Sequence, residues 1–169
     1  MNFKVSEDVY PPSEDTFLIA KHIPLKLKGR HILDMGCGSG MLGIAAAVNG
    51  ANVTSVDINE NAILNTIVNA ERHNVHVKAI KSNLFSKVSG KFDLILFNPP
   101  YVPKDEDNIY LSPGMRRATT SGKRGTDVIK KFLKDFKSHL NPNGEVLLIV
   151  SSLNKITTKL KKAGWEEID

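Results

Sequence analysis

His31 to Val48 reads H-I-L-D-M-G-C-G-S-G-M-L-G-I-A-A-A-V, and this stretch decides the fold. His31 to Met35 is a strand signal. It runs straight into Gly36, Gly38 and Gly40, and then into a helix of small residues, Met41 to Val48. Strand, glycine loop, helix is the context that a nucleotide-binding turn requires. The spacing is D-x-G-x-G-x-G, distinct from the dinucleotide G-x-G-x-x-G and from the phosphate loop G-x-x-x-x-G-K-[ST]. Glycines let the backbone approach a ligand closely, and Asp34 at their head would repel a phosphate but accept hydrogen bonds from an amino group. The loop therefore predicts a ligand with an amino acid head. Cys37, set between glycines, reads as a small spacer and not as a nucleophile.

Downstream of the loop, the alternating run Asn52 to Val56 ends at Asp57. An acid at the tip of the second strand is placed to accept two ribose hydroxyls; the competing reading is a cap for the helix that Asn59 and Glu60 begin. That helix, Glu60 to His73, carries Ile63, Ile67 and Ala70 as a stripe for packing on a sheet. Val75 to Ile80 is a short third strand, and Ser82 to Phe85 a turn beside it. Phe92 to Phe97 is the next strand, and it stops at Asn98-Pro99-Pro100-Tyr101. Proline fixes φ, lacks an N–H and pushes the residue before it toward extended geometry, so the carbonyls of Asn98 and Pro99 are held in a narrow range of directions. Asn98 Oδ1 and a backbone carbonyl suit the two hydrogens of a planar amide or amino group, with Tyr101 packing on its face.

Upstream, Ser13 with Glu14 and Asp15 behind it marks a helix start, and Pro24 ends that helix. Pro103 to Gly125, long, charged and without period, reads as a substrate-binding lid. Thr126 to Leu140 is an amphipathic helix with Ile129, Phe132, Leu133 and Phe136 inward. Asn141 to Gly144 turns the chain into a strand, Glu145 to Val150. A helix from Leu153 to Ala163 follows, and Trp165 starts one more strand.

Strands alternating with helices, several of the strands apolar throughout, predict an α/β fold: a mostly parallel, doubly wound sheet with helices on both faces, in one domain over residues 1–169. The net charge is +5 and there is one cysteine, so an internal disulfide is excluded, and no Cys and His cluster has zinc-ligand spacing. No metal is expected. With no signal-peptide core and no apolar run of membrane-spanning length, a cytoplasmic protein is expected, with no membrane partner. Lys130, Lys131, Lys134 and Lys137 read as a solvated helix face, and the scattered histidines as surface or packing residues.

With D-M-G-C-G-S-G, V-D-I-N and F-N-P-P-Y-V-P in this order, the chain resembles the Rossmann-like class I S-adenosylmethionine-dependent methyltransferases. The nearer resemblance is to the HemK family of glutamine methyltransferases, which modify the Gly-Gly-Gln loop of peptide chain release factors. It covers nearly the whole chain, including V-Y-P-P-S-E-D-T at Val9 and G-K-R-G-T-D-V-I at Gly122, and the former is similar to the short archaeal and eukaryotic branch. The resemblance implies S-adenosylmethionine as cofactor, contacted by Thr16, Asp34, Gly36, Asp57, Asn83 and Leu84 together with Gly38 and Gly40 of the loop. It implies that Asn98, Pro99, Pro100 and Tyr101 form the catalytic tip, Asn98 also touching the cofactor. The acceptor implied is the side-chain amide of a release factor glutamine.

This sequence departs from the family pattern at three places. Asn83 stands where relatives usually have Asp, Thr119-Thr120-Ser121-Gly122 where they tend to have Trp followed by Gly-Gly, and the sequence stops at Asp169 where they continue through a closing strand. Two alternatives stay open: a methyltransferase of adenine or guanine amino groups in nucleic acid, with which N-P-P-Y is shared and for which the positive charge argues, and an inactive cofactor-binding partner subunit. In a sheet starting at His31, Val75 to Ile80 is an outer strand with an open edge. Relatives of the short branch work with a small zinc-ribbon activator, and the resemblance implies that such a partner pairs along that edge.

Overall fold

A computed structural model describes residues 2–104, 111–152 and 156–168. Five parallel strands form one sheet: β1 (His31–Met35), β2 (Asn52–Asp57), β3 (Val77–Lys81), β4 (Phe92–Phe97) and β5 (Leu140–Leu148), in the order β3-β2-β1-β4-β5. β1 is central because its residues bury both faces. Ile32 joins Leu94, Leu96 and Val53 in a core under α1 (Glu14–His22) and α2 (Met41–Val48), whereas Leu33 and Met35 join Ile95, Phe97 and Phe132 on the other side. The second core is aromatic, with Phe132 of α5 (Asp127–Asp135) set 4.8 Å from Phe97 and 5.4 Å from Phe85 between ring centroids.

The strand alternation also decides where Asp34 goes. It lies on the Ile32 side, paired in register with Ser55 and facing α2, where Gly43 leaves the room: a Cβ there would sit 2.8 Å from Asp34 Oδ2 and 2.7 Å from Ser55 Oγ. Asp34 Oδ2 accepts the Gly43 N–H at 2.9 Å. The carboxyl is 1% exposed, and its burial, helped by the charge of Asp57, holds its pKa up at about 7 from the usual 3.8.

The third strand, expected from Val75, begins at Val77, and it is an edge. α3 (Glu60–Arg72) buries Ile63 and Ala70 as expected, but Ile67 is 38% exposed. Thr66, Asn65 and Asn69 take the buried positions beside them, because these side chains hold other parts of the chain together. Pro103 to Gly125 is not irregular throughout: α4 (Pro113–Thr119) starts at Ser112, whose Oγ accepts the Met115 N–H at 3.3 Å. Residues 105–110 of that segment lie outside the described residues. The Asn141 to Gly144 turn is folded into β5 as an irregularity in its pairing with β4, with Asn143 left-handed at φ 62°.

Leu153 to Lys155, the expected start of the last helix, are outside the described residues, and α6 runs Thr157–Lys162. Of the strand expected from Trp165 to Asp169, the described residues 165–168 form none. The indole tilts against Phe136 at 5.6 Å, and the Trp165 N–H donates to the Leu160 carbonyl of α6 at 3.1 Å, with a Lys161–Glu167 ion pair at the surface. Two histidines do pack: His73 stacks on Phe3 and His139 on Phe85. Among the described residues no helix is long and apolar enough to cross a membrane.

Asp34 makes a pH-dependent contribution that can be isolated. Its folded pKa lies above its unfolded one, so the folded protein holds an extra proton between about pH 4 and 7, and stability falls as pH rises through that window. Asp34→Asn keeps the acceptor for Gly43 and removes the titration. In urea melts without added cofactor, the variant should match the wild type near pH 4 and exceed it by up to about 4 kcal/mol at pH 8.

Candidate active site

The order β3-β2-β1-β4-β5 reverses direction between β1 and β4, and ligands of open α/β sheets bind beyond the strand ends at such a point. A cleft of about 460 Å³ lies there, within the range that holds a small-molecule cofactor, about 300–1,000 Å³. Its floor is the glycine loop. Gly36, Gly38 and Gly40 have φ of 67°, 53° and 84°, the left-handed region in which side chains other than glycine are disfavoured. A Cβ on Gly36 would lie in ordinary contact with the Phe97 ring, at 3.4 Å, so it is the backbone angle that calls for glycine there. The loop is tied to β2 by two bonds: Cys37 N–H to the Val56 carbonyl at 3.0 Å, and Gly38 N–H to Asp57 Oδ2 at 3.1 Å.

Asp57 stands between the loop and the start of α3. Its Oδ1 accepts the Asn59 N–H at 2.8 Å, which leads into α3, while its Oδ2 holds the loop, and the residue lines the cleft. Burial pushes its pKa up, opposed by the N–H groups of Asn59, Gly38 and Ile58 and by Arg117. Beyond it, Leu84 is left-handed at φ 48°, an outlier for a bulky residue and the kind of strain that gathers at functional sites. Ser82 Oγ secures that turn by donating to the Leu84 carbonyl at 2.9 Å and accepting the Lys87 N–H at 3.0 Å.

Beside the glycine loop, at the end of β4, lies the tip Asn98-Pro99-Pro100-Tyr101, fixed at both ends. Before it, the Phe97 carbonyl accepts the Ile149 N–H at 3.0 Å; after it, Val102 N–H donates to the Thr119 carbonyl at 2.9 Å. α4 thus comes to the cleft wall, where Arg116, Arg117 and Thr119 line it. The expected site residues Thr16, Gly36, Gly38, Asp57, Asn83, Leu84 and Asn98 to Tyr101 all meet around this one cleft. Asp34 and Gly40 do not reach its wall: Asp34 points to α2, and Gly40 is pressed against Thr66, whose Cγ2 would be 2.9 Å from a Cβ. Cys37 is the buried spacer expected, its thiol accepting from Thr66 Oγ1 at 3.2 Å and pushed up by burial.

One wall went unread in the sequence. Residues 4–10 cross α3 as a strap whose end, Asp8, Val9 and Tyr10, lines the cleft. Asn69, fully buried, donates to the carbonyls of Lys4 (2.7 Å) and Ser39 (2.9 Å) and accepts from the Lys4 N–H at 2.9 Å. Asn65 accepts from the Ser6 N–H at 2.7 Å and donates to the Lys4 carbonyl at 2.8 Å, and Asn59 Nδ2 donates to the Asp8 carbonyl at 2.8 Å. Three asparagines spaced along one helix were the available signal.

The chain matches the methyltransferase small domain family over residues 13–118. It is 35% identical over 170 residues to a protein of Methanocaldococcus jannaschii provisionally named a protein N5-glutamine methyltransferase, an alignment covering 98% of this chain and 85% of the other. The chain belongs to the HemK-type methyltransferase family. A release factor glutamine methyltransferase of Deinococcus radiodurans is 34% identical over 143 residues, 80% of this chain, which spans 51% of that longer relative. Among solved structures, the Mtq2-Trm112 complex of E. cuniculi, described as responsible for methylation of the eRF1 translation termination factor, superposes with a TM-score of 0.68 at 23% identity, covering 93% of this chain and 83% of that one. The 16S rRNA N2 G1207 methyltransferase of T. thermophilus, solved in complex with S-adenosylmethionine (AdoMet) and guanosine, superposes with a TM-score of 0.69 at 22% identity, covering 90% of this chain and 38% of that one.

The cleft fits such a cofactor. It presents an acid at a strand tip, close-approach glycines and no lysine in the loop to hold a phosphate. Among the described residues no group of three or more His, Cys, Asp or Glu is placed to hold a metal ion.

The strap can be tested by itself. Asn69→Ala takes the partner from the Lys4 N–H and a donor from the Ser39 carbonyl, leaves the Lys4 carbonyl to Asn65, and should cost about 1–3 kcal/mol in denaturant melts. Amide exchange at Lys4 and Ser6 should accelerate while exchange in β1 and β4 keeps its rank. Unchanged exchange at Lys4 would show that the strap is held by other contacts.

Proposed function

We propose that this chain methylates the side-chain amide of a glutamine in a peptide chain release factor. The observation that carries the reading is the position of Asn98, on a proline-stiffened tip that follows β4 beside the glycine loop and lines the same cleft as Asp57. Asp57 would hold the ribose hydroxyls, Asn83 the adenine amino group and the Leu84 turn the ring's edge. Gly36 and Gly38 would let the amino acid end close on the backbone, with Thr16 beside it. Asp34 and Gly40 act from behind the loop, shaping it without touching the ligand.

S-adenosylmethionine supplies, when bound, an electrophilic methyl group on a sulfonium sulfur. An amide nitrogen is a poor nucleophile because its lone pair is delocalised, so the protein's task is orientation and charge stabilisation. Asn98 Oδ1 and the Pro99 carbonyl accept the amide's two hydrogens, turn its lone pair toward the cleft, and offset the positive charge that grows on nitrogen. A preorganised acceptor pair of this kind costs no reorganisation when the charge develops. The glutamine reading draws on the names of relatives and on the resemblance of nearly the whole chain; a translation factor as substrate agrees with a cytoplasmic setting.

The open edge of β3 supports a partner. Val77–Lys81 pairs only with β2 among the described residues, and Lys78 and Lys81 are its exposed charges. A small zinc-ribbon activator adding a strand there would satisfy the free N–H and C=O groups of the edge.

Two outcomes test these readings. Asn98→Ala should lower kcat for release factor methylation by about 10²–10³-fold while the Kd for S-adenosylmethionine stays within about twofold. Equal turnover on RNA or DNA and none on release factor would replace the substrate. For the partner, adding the activator should slow amide exchange within Val77–Lys81 by at least about tenfold; protection elsewhere on the surface, with β3 unchanged, would place the partner off this edge.

A further inference from the structure

The tip that carries Asn98 has an unusual fixing problem. Pro99 and Pro100 have no N–H, so the backbone between Phe97 and Val102 lacks two of the donors by which a loop is ordinarily tied down. The strand-end bond of Phe97 and the Val102 bond to Thr119 hold the two ends, and the arc between them carries the catalytic amide. Asp15, in the first turn of α1, reaches the arc from outside: its Oδ2 accepts a hydrogen bond from the Tyr101 hydroxyl across 86 residues of sequence.

Asp15 is a stiff anchor. Its neighbour Thr16 is buried and accepts the Ser13 N–H at 3.3 Å, which fixes the start of the helix, and Ile19 and Ile23 one and two turns on sit in the core under the sheet. The carboxylate also lies in the first turn, where the helix dipole favours negative charge. Burial, then the bond and charge of Asp15, push the Tyr101 hydroxyl's pKa up, so the group stays a donor at any working pH. Both side chains line the cleft.

We infer that Asp15 is a positioning residue for methyl transfer: by holding the Tyr101 hydroxyl it sets the arc of the tip, and with it the direction of Asn98 Oδ1 and the Pro99 carbonyl. This rests on the tip's role in the reading above. It links the Y-P-P-S-E-D-T opening to catalysis through a side chain that touches neither methyl donor nor acceptor.

The experiment is a double-mutant cycle on the full chain with release factor as acceptor. Asp15→Ala and Tyr101→Phe should each lower kcat about tenfold, and the double variant should fall no further than about twofold below either, because both remove one bond. KM for the acceptor and Kd for S-adenosylmethionine should stay within about twofold of wild type. Asp15→Asn, which can still accept the hydroxyl, should recover kcat to within about threefold of wild type. A roughly hundredfold loss in the double variant, a weakened S-adenosylmethionine Kd, or Asn as poor as Ala would overturn the inference and make Asp15 a direct contact. A readout independent of the acceptor separates this from failure of the substrate reading. Amide exchange at Tyr101 and Val102 should quicken in Asp15→Ala and Tyr101→Phe but not in Asp15→Asn, and unchanged exchange would overturn the inference even where wild-type turnover on release factor is absent.

Discussion

The bond from Gly38 N–H to the Asp57 carboxylate, 3.1 Å long, is the constraint on which the site depends. It joins the loop after β1 to the tip of β2, so the cleft floor and its acidic corner form one unit. The same carboxylate orders the first turn of α3 through Asn59, and α3 in turn holds the strap. A single side chain therefore couples loop, helix and roof. The N–H groups of Gly38, Asn59 and Ile58 take part of the acceptor capacity of this acid, which also lines the cleft. Residual acceptor capacity on a partly buried anion is what a pair of hydroxyls can use.

Much of this was legible in the sequence, and the reason is punctuation. β1, α2 and β4 begin and end where the glycines of the loop and the prolines of the tip placed them, because those residues restrict or free φ irrespective of tertiary context. The place of Asp57 and Asn98 beside the cleft follows from the same cause: each stands at the end of an apolar strand, where the chain leaves the sheet, and both line the cleft.

What was not legible depends on contacts between distant segments. Asp34 looked like a ligand because its motif position is right, yet strand alternation turns it toward Gly43 of α2, a matter of side and not of spacing. Ile67 looked like core, but the strap needed asparagines, and their burial rotated the packing face of α3 past it. α4 has no apolar period to announce it; Gly114 at its start lies so close to the strap that a Cβ would meet the Asp8 carbonyl at 2.4 Å. Trp165 carries strand-forming character, but its ring finds Phe136 and the backbone follows the ring.

The strap has a consequence for the order in which the molecule assembles. Its bonds from Lys4 to Asn69 span 65 residues, and they have no partner until α3 is formed, so the loop-closure entropy is met only after the sheet and its first helices exist. The roof of the cleft is laid last. The strap is anchored by apolar contacts at both ends, Phe3 stacked on His73 just before it and Val9 buried near its close, with polar bonds between. Release of those polar bonds would loosen the cleft wall while the sheet beneath stays folded.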